Sequence, residues 1–515
     1  MSQRLLTTPA RHSQWSLLSA VDTACSYATD TLLALGSTPL ACVGELGVVG
    51  FLQRMKHGNL RIITQSQVYR FPPVAKGVVN EHPHLFAELV VIRDTFWTRM
   101  LTMGDLGFAE SYMYGDVQCD DLRSLFKVFM VNRDELATVE SGRLVKLFTA
   151  VPRYITNSRF ANTLSTSRSN ISAHYDISNA MFQGFLSSDM MYSCAIFDDL
   201  DGDLKQPYKP VYMPIEKPER PKRSTPEGSE SSSTVGDGDV DELHEAQLRK
   251  VEHILAKAKL QDGHRILEIG SGWGELAIQA CRLISNCTVD TITLSSEQKE
   301  LAEARIAAAG FTDRVRVHLM DYRRMPEEWK GSFDRVISIE MVEAVGLEFL
   351  PEYFSWIDWA LKPRGGVGVV QGITMPETRF ETYHTEVDFI RKWPIFPGGL
   401  CPTISLLISS LNKGSQNRLI VDSVDNIGPH YARTLREWAR RFDACFDTVI
   451  APTLRSQHPS VMDGPNGVEE LAVFRRKWMY YFQYCEIGFA TRTLGDVILT
   501  FTREADASYG CNVFA

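Results

Sequence analysis

The sequence predicts a doubly wound α/β domain on a mostly parallel sheet, preceded by a smaller α+β N-terminal domain. Three observations carry that prediction. From residue 243 onward short β-branched runs alternate with amphipathic helical stretches; the first of those runs leads into a glycine-rich turn; and a polar stretch rich in Pro, Ser and Gly separates this region from a mixed one upstream. A chain of 515 residues is too long for one compact core, and 44% hydrophobic with 23% charged residues is a globular composition. The formal net charge of -9 argues against dependence on phosphate contacts, so nucleic acid is not an expected partner.

Taken in chain order, residues 1–50 read as a helical or flexible extension. Its most apolar part, Thr31 to Phe51, is interrupted by Pro39, Glu45 and several glycines. A membrane span needs about 20 predominantly apolar residues, so a surface role fits this part better. Residues 51–155 hold strand-like LRIITQ and VYRF and form an accessory domain. Residues 156–199, with SAHYDISNAMFQGFL, read as a helical segment that closes the site, and 200–242 has so few large apolar residues that a disordered insertion is expected. In 243–515 the runs RILEI, CTVDTITL, RVRVHL, DRVISI and GVGVVQGIT are the sheet strands, with a helical lid inserted around 376–415. Ten cysteines show no C-x-x-C pair and no metal-ligand rhythm with the twelve histidines, which fits a reducing, cytoplasmic compartment.

Ligands in such sheets bind beyond the carboxyl ends of the strands. There the sequence places Leu267-Glu268-Ile269-Gly270-Ser271-Gly272-Trp273-Gly274, a strand running into a glycine turn and then a helix. Glycines let the backbone approach a ligand and present amide donors. A dinucleotide fingerprint needs G-x-G-x-x-G, and Glu275 occupies its last position. G-x-G-x-G after a strand bearing Glu268 suits an S-adenosylmethionine turn instead. After the next strands, Thr293, Leu294, Ser295 and Gln298 suit the ribose and amino-acid parts of that cofactor, and Asp321 with Tyr322 suits the adenine. Each of these alone also reads as a helix cap or a surface polar residue.

At this point the chain resembles a known family, the cyclopropane-fatty-acyl-phospholipid synthases and the related mycolic acid cyclopropane synthases. The resemblance is carried by His174-Tyr175-Asp176-Ile177-Ser178-Asn179, Met191-Tyr192-Ser193-Cys194-Ala195-Ile196-Phe197, LEIGSGWG, TLSSEQ, DYR, SIEMVEAVG, IFPGG, PHYARTL and the Tyr480 to Phe489 segment. It runs over roughly residues 50 to 505, leaving out 200–242. Upstream, Gly104 to Met113 resembles the N-terminal domain of the phospholipid-acting members. The resemblance implies the class I S-adenosylmethionine-dependent methyltransferase fold, with Tyr192, Ser193, Gly270, Gly272, Thr293, Gln298 and Tyr322 contacting the cofactor. It also implies a bicarbonate ion at the reaction centre, held at Cys194, Glu343, Ile373 and Tyr431. Gln371 stands where well-known members have a histidine, and Pro394 is an extra residue in KWPIFPGG.

The implied reaction is methylene transfer to a cis double bond of an unsaturated phospholipid acyl chain, giving a cyclopropane. An alkene is a weak nucleophile, so the step needs alignment and exclusion of water. The resulting carbocation suits aromatic surroundings, for which Tyr175, Tyr192, Tyr322, Phe389 and Tyr431 are available, with Tyr175 and Phe389 assigned to the acyl tunnel. On this reading Glu343 orients the bicarbonate base, Tyr431 donates to it, and the Cys194 amide serves the ion; without the resemblance Glu343 reads as a helix cap and Cys194 as a buried structural cysteine. Two alternatives stay open: an alkene C-methyltransferase that leaves no ring, and a silent lipid-binding protein. The expected partner is unsaturated phospholipid at the membrane surface, where the protein would sit peripherally, with a homodimer as an open option. The insertion also gives a direct expectation: deleting Lys217 to Asp239 leaves turnover and folding nearly unchanged, because flexible-loop length alters closure entropy slowly. A loss above about 2 kcal/mol in urea unfolding would show that the segment packs on the core.

Overall fold

The computed structural model describes residues 37–73, 79–137, 179–205, 241–385, 388–393, 399–506 and 509–510. Tyr175, His174, Pro394 and the stretch Lys217 to Asp239 lie outside the described residues. In the N-terminal part, helix α1 (Ser37–Leu52) precedes strands β1 (Asn59–Ile63), β2 (Val68–Phe71) and β3 (Phe86–Val91). Helices α2 (Thr95–Met103) and α3 (Asp105–Tyr114), strand β4 (Val117–Cys119) and helix α4 (Leu122–Val131) follow. The four strands form one sheet in the order β2-β1-β3-β4, with β1 and β3 parallel. The apolar stretch at Thr31 to Phe51 thus ends in a packed helix. Gly44 of α1 lies so close to α2 that an added Cβ would come 2.5 Å from the Trp97 carbonyl oxygen, and Glu45 accepts a 2.9 Å hydrogen bond from the Tyr69 hydroxyl. No described helix is long and apolar enough to cross a membrane.

The five β-branched runs become β5 (Arg265–Ile269), β6 (Thr288–Thr293), β7 (Val315–Leu319), β8 (Arg335–Ile339) and β9 (Val367–Thr374); β10 (Leu419–Asn426) and β11 (Gly495–Arg503) complete a sheet ordered β10-β11-β9-β8-β5-β6-β7. Pairings from β9 to β7 are parallel, while β11 runs antiparallel to β9 and to β10. Their runs of buried Val, Ile and Leu follow from helices covering both faces. Strand order reverses between β5 and β8, and that crevice is where this architecture places a ligand.

The remaining helices relevant to the site are α5 (Asn179–Phe185), α6 (Glu242–Lys257), α7 (Glu275–Leu283), α8 (Ser296–Ala308), α9 (Leu350–Ala360), α10 (Glu377–Thr385), α11 (Ile404–Gly414), α12 (Gly428–Cys445) and α13 (Gly467–Ala490). The expectation of a lid over 376–415 needs correction at its far end. Gly414 of α11 meets the backbone of Pro351 and Ser355, so this helix packs on α9 in the layer that covers the sheet. The ring centroid of Phe389 lies 4.6 Å from that of Tyr480 on α13, which contacts Phe108 and Phe126 of the N-terminal part. It does not border the cavity described below.

The expected insertion 200–242 is also structured at both ends. Asp203, 1% exposed as a side chain, receives Arg436 at 2.7 Å and Arg440 at 2.9 Å, and Asp241 caps α6 while pairing with Arg441. These bonds moor the segment after Phe197 to α12. Burial by itself penalises the Asp203 carboxylate, but the bonds and charge of the arginines outweigh it and hold its pKa below the ordinary aspartate value. Asp203→Asn leaves buried guanidinium groups uncompensated and is expected to cost roughly 3 kcal/mol in urea unfolding at neutral pH. Because the folded carboxyl titrates below the unfolded one, that difference is fully present above about pH 4 and shrinks as pH falls through the folded value. A difference that does not change with acidification would contradict the charge-based account.

Candidate active site

At the carboxyl ends of β5 to β8 the chain encloses a cavity. Gly270 and Gly272 border it from the turn after β5, Thr293 and Leu294 from the end of β6, Asp321 and Tyr322 from beyond β7, and Glu340 and Met341 from beyond β8; Tyr192 and Ser193 cover it from the segment after α5. The glycine turn is closed against β6 by 3.0 Å bonds from the Gly270 and Ser271 amides to the Ile292 carbonyl. Gly270 sits at φ +99°, and a Cβ there would lie 3.4 Å from Met341. The turn therefore needs glycine for conformation as well as for space.

Polar groups facing this cavity are prepared for a charged ligand. The Glu268 carboxylate is buried with Oε2 lacking a protein hydrogen bond, and burial pushes its pKa up to about 8. Such an orphaned buried oxygen fits a cationic group like the cofactor's ammonium. The Thr293 hydroxyl donates a 2.8 Å bond to the Gln298 side-chain oxygen, so Thr293 orients the amide that the sequence suggested for the ribose. Asp321 is held by Arg323 at 2.6 Å, and Ser193 Oγ accepts from the buried Lys250 ammonium at 2.7 Å. Ser295 is a correction. Its hydroxyl accepts from the Gln298 amide at 3.1 Å as the N-cap of α8, and it does not border the cavity.

Behind Tyr192 and Glu340 lies a buried polar cluster. Glu340 Oε1 accepts 2.7 Å and 2.8 Å bonds from the Cys194 amide and the Gln371 side-chain amide, and Oε2 accepts a 2.6 Å bond from the Tyr431 hydroxyl. Gln371 donates as well to Asp496 at 3.2 Å. Glu343, in contrast, accepts from the Ile373 amide. Cys194, Gln371 and Tyr431 are thus brought together as expected from the sequence, but around Glu340, while Glu343 and Ile373 pair with each other. Bicarbonate does not fit this arrangement, because a second anion would have to displace the Glu340 carboxylate from the donors assigned to the ion.

Electrostatics in the cluster follow from dryness. Burial raises Asp496 far above the usual aspartate range, with the neighbouring Glu340 charge adding to it. Burial also raises Glu340, but hydrogen bonds from Asp496, the Cys194 amide and Tyr431 and the charge of Lys250 oppose that rise. Burial, then the Glu340 charge, pushes Glu343 up to about 8. The Cys194 thiol is driven well above its ordinary value by burial and bonds to the Ala195 and Ile427 carbonyls, which excludes a thiolate nucleophile. Aromatic rings complete the wall: Tyr192 lies 4.8 Å from Trp438, and Tyr431 stacks on Phe489 at 4.4 Å.

The family model described as "Mycolic acid cyclopropane synthetase" matches residues 162–215 and 229–498, more than half of the chain. The chain belongs to that family. Among its relatives, the tuberculostearic acid methyltransferase UfaA1 of Mycobacterium tuberculosis is 36% identical over 416 residues, covering 80% of this chain and 82% of that protein. The cyclopropane-fatty-acyl-phospholipid synthase of Escherichia coli strain K12 is 29% identical over 426 residues, 82% of this chain and 89% of that one. A solved coclaurine N-methyltransferase shares the fold, at TM-score 0.52 and 19% identity, covering 77% of this chain and 98% of that one. The fold is that of the class I S-adenosylmethionine-dependent methyltransferases.

Three functional residues had no motif to announce them. Glu340 and Glu343 both occur in SIEMVEAVG, and sequence spacing alone does not say which one faces Cys194 and Tyr431. Lys250 stands on α6 outside every motif and is 1% exposed. Asp496 opens β11, far from every glycine motif. For the cofactor turn the family places at Gly270, the expectation is direct: Gly270→Val removes both the φ and the space, and S-adenosylmethionine affinity falls below calorimetric detection. Unchanged affinity would dissociate this turn from cofactor binding.

Proposed function

We propose that this chain transfers a methyl group from S-adenosylmethionine to a carbon of a cis double bond in an unsaturated phospholipid acyl chain. The observation that carries this reading is the inner wall of the cofactor cavity, where Tyr192 and Glu340 border the cavity and Trp438 and Tyr431 pack behind them. A cavity bordered by Tyr192 and Tyr322, with Trp438 packed against Tyr192, suits an acceptor that is apolar and turns cationic, since ring faces stabilise cations by about 0.5 to 2 kcal/mol each. S-Adenosylmethionine supplies the methyl group as an electrophile when bound. Glu268, Thr293, Gln298 and Asp321 would hold it, and the segment at Tyr192 and Ser193 would exclude water from the acceptor.

Ring-free methylation is the product reading that the arrangement favours. The 36% identical relative is a methyltransferase named for tuberculostearic acid, and a carboxylate of the chain takes the donors that a bicarbonate ion would use, so the cation meets a different proton acceptor. Cyclopropane closure is the second reading. It shares the methyl transfer, and likeness to the cyclopropane-fatty-acyl-phospholipid synthase supports it. A lipid-surface location is supported by α1, which leaves Val43 and Leu46 exposed, and by Leu101 of α2, which is exposed as well.

The test is the lipid profile of cells that express the chain. Unsaturated phospholipid acyl chains should gain the mass of one CH2, and catalytic hydrogenation should then add one H2 to the new product, which a cyclopropane resists under mild conditions. Resistance to hydrogenation would select ring closure. Absence of any mass gain, with S-adenosylmethionine intact, would overturn the reading.

A further inference from the structure

Glu340 is a strained residue at the centre of the site. Its φ of +47° is a conformation that glycine adopts freely and a side chain does not. A conformation of this kind is unfavourable and persists where the surroundings over-determine it. The surroundings here are specific. Positive φ turns the carboxylate onto the Cys194 amide, the Gln371 amide and the Tyr431 hydroxyl at 2.6 to 2.8 Å, while the same residue still borders the cofactor cavity. Structural needs alone do not explain a carboxylate at that point, because a glycine would relax the backbone and the three donors would be free for a small anion.

We propose that Glu340 is the proton acceptor of the reaction, a carboxylate built into the chain at the place the family resemblance gives to bicarbonate. This rests on the reading of the chain as an alkene methyltransferase. After methyl transfer the acyl chain carries a carbocation, and one C–H bond of the added methyl group lies beside it. That bond breaks, the proton passes to a Glu340 oxygen, and the C–H electron pair closes onto the cationic carbon. The pair forms a C=CH2 bond if a 1,2-hydride shift has moved the cation to the methylated carbon, and the third side of a cyclopropane if it has not. Anion and cation become two neutral species, and Glu340 then releases its proton to solvent.

The same bonds explain why the carboxylate accepts a proton without alkylation. A covalent C–O bond needs the oxygen to advance past the distance at which a proton is taken. Three hydrogen bonds and a fixed backbone hold both oxygens back. Asp496 and Gln371 behind the carboxylate, and Lys250 within electrostatic range, keep its charge in a dry pocket.

The experiment uses the full chain, S-adenosylmethionine and vesicles of dioleoylphosphatidylglycerol, with carbonate stripped under argon. Wild type should form methylated lipid at a rate that added bicarbonate does not change. Glu340→Gln should lose about a hundredfold or more in turnover while S-adenosylmethionine affinity, read by calorimetry, stays within about threefold. Glu340→Gly, which relieves the backbone and vacates the donors, should be inactive without bicarbonate and recover at least about tenfold when it is added. Stimulation of the wild type by bicarbonate would overturn the proposal, as would a wild-type rate in either variant without the ion. Failure of the wild type itself to methylate the lipid would instead strike the reading of function and leave the calorimetric cofactor binding to stand alone.

Discussion

The carboxylate of Glu340 joins parts of the chain that lie far apart. Cys194 reaches it across 146 residues and Tyr431 across 91, and Gln371 arrives from the neighbouring strand of the sheet. A buried carboxylate without donors costs several kcal/mol, so these three elements are held in register by the need to solvate one charge. The segment carrying Tyr192 and Ser193 is thereby fixed over the cofactor cavity. Its placement is an electrostatic requirement before it is a matter of shape.

Further anchoring works on the same principle from the outside. The Ala195 amide donates to Thr434 and the Phe197 amide to His430, both on α12. Three turns of that helix then present Arg433, Arg436 and Arg440 toward Asp203. α12 therefore reads the covering segment twice, with hydroxyl and ring groups near Tyr431 and with guanidinium groups toward its end. Its inner face carries Trp438, so the same helix supplies both the polar bonds and part of the aromatic wall.

Concentrating Glu268, Glu340, Glu343 and Asp496 in a dry region demands that protons be shared, since their mutual repulsion at low dielectric exceeds what Lys250 alone offsets. The consequence is a division of labour. Asp496 is raised far above the usual aspartate range behind the cluster, while hydrogen bonds and the Lys250 charge oppose the rise of Glu340 at the cavity edge. Family resemblance by itself would place an ion there. The chain places a side chain there instead, at the cost of a left-handed backbone.

Much of the fold was legible because its signals are local. Short β-branched runs such as RILEI and GVGVVQGIT, and the G-x-G-x-G turn, are short-range patterns that mark strands and a glycine loop, and so Gly270, Gly272, Thr293, Gln298 and Tyr322 could be placed beforehand. Composition likewise separated the polar insertion, though not its ends, since the packing of Asp203 and Asp241 depends on arginines more than 190 residues away. Ser295 was ambiguous because a serine before a helix suits a cap and a ligand equally. The identity of the central carboxylate was beyond the sequence. Glu340 and Glu343 lie three residues apart, and which of them meets Cys194 and Tyr431 is decided by one left-handed torsion and by partners from distant segments, neither of which residue spacing encodes.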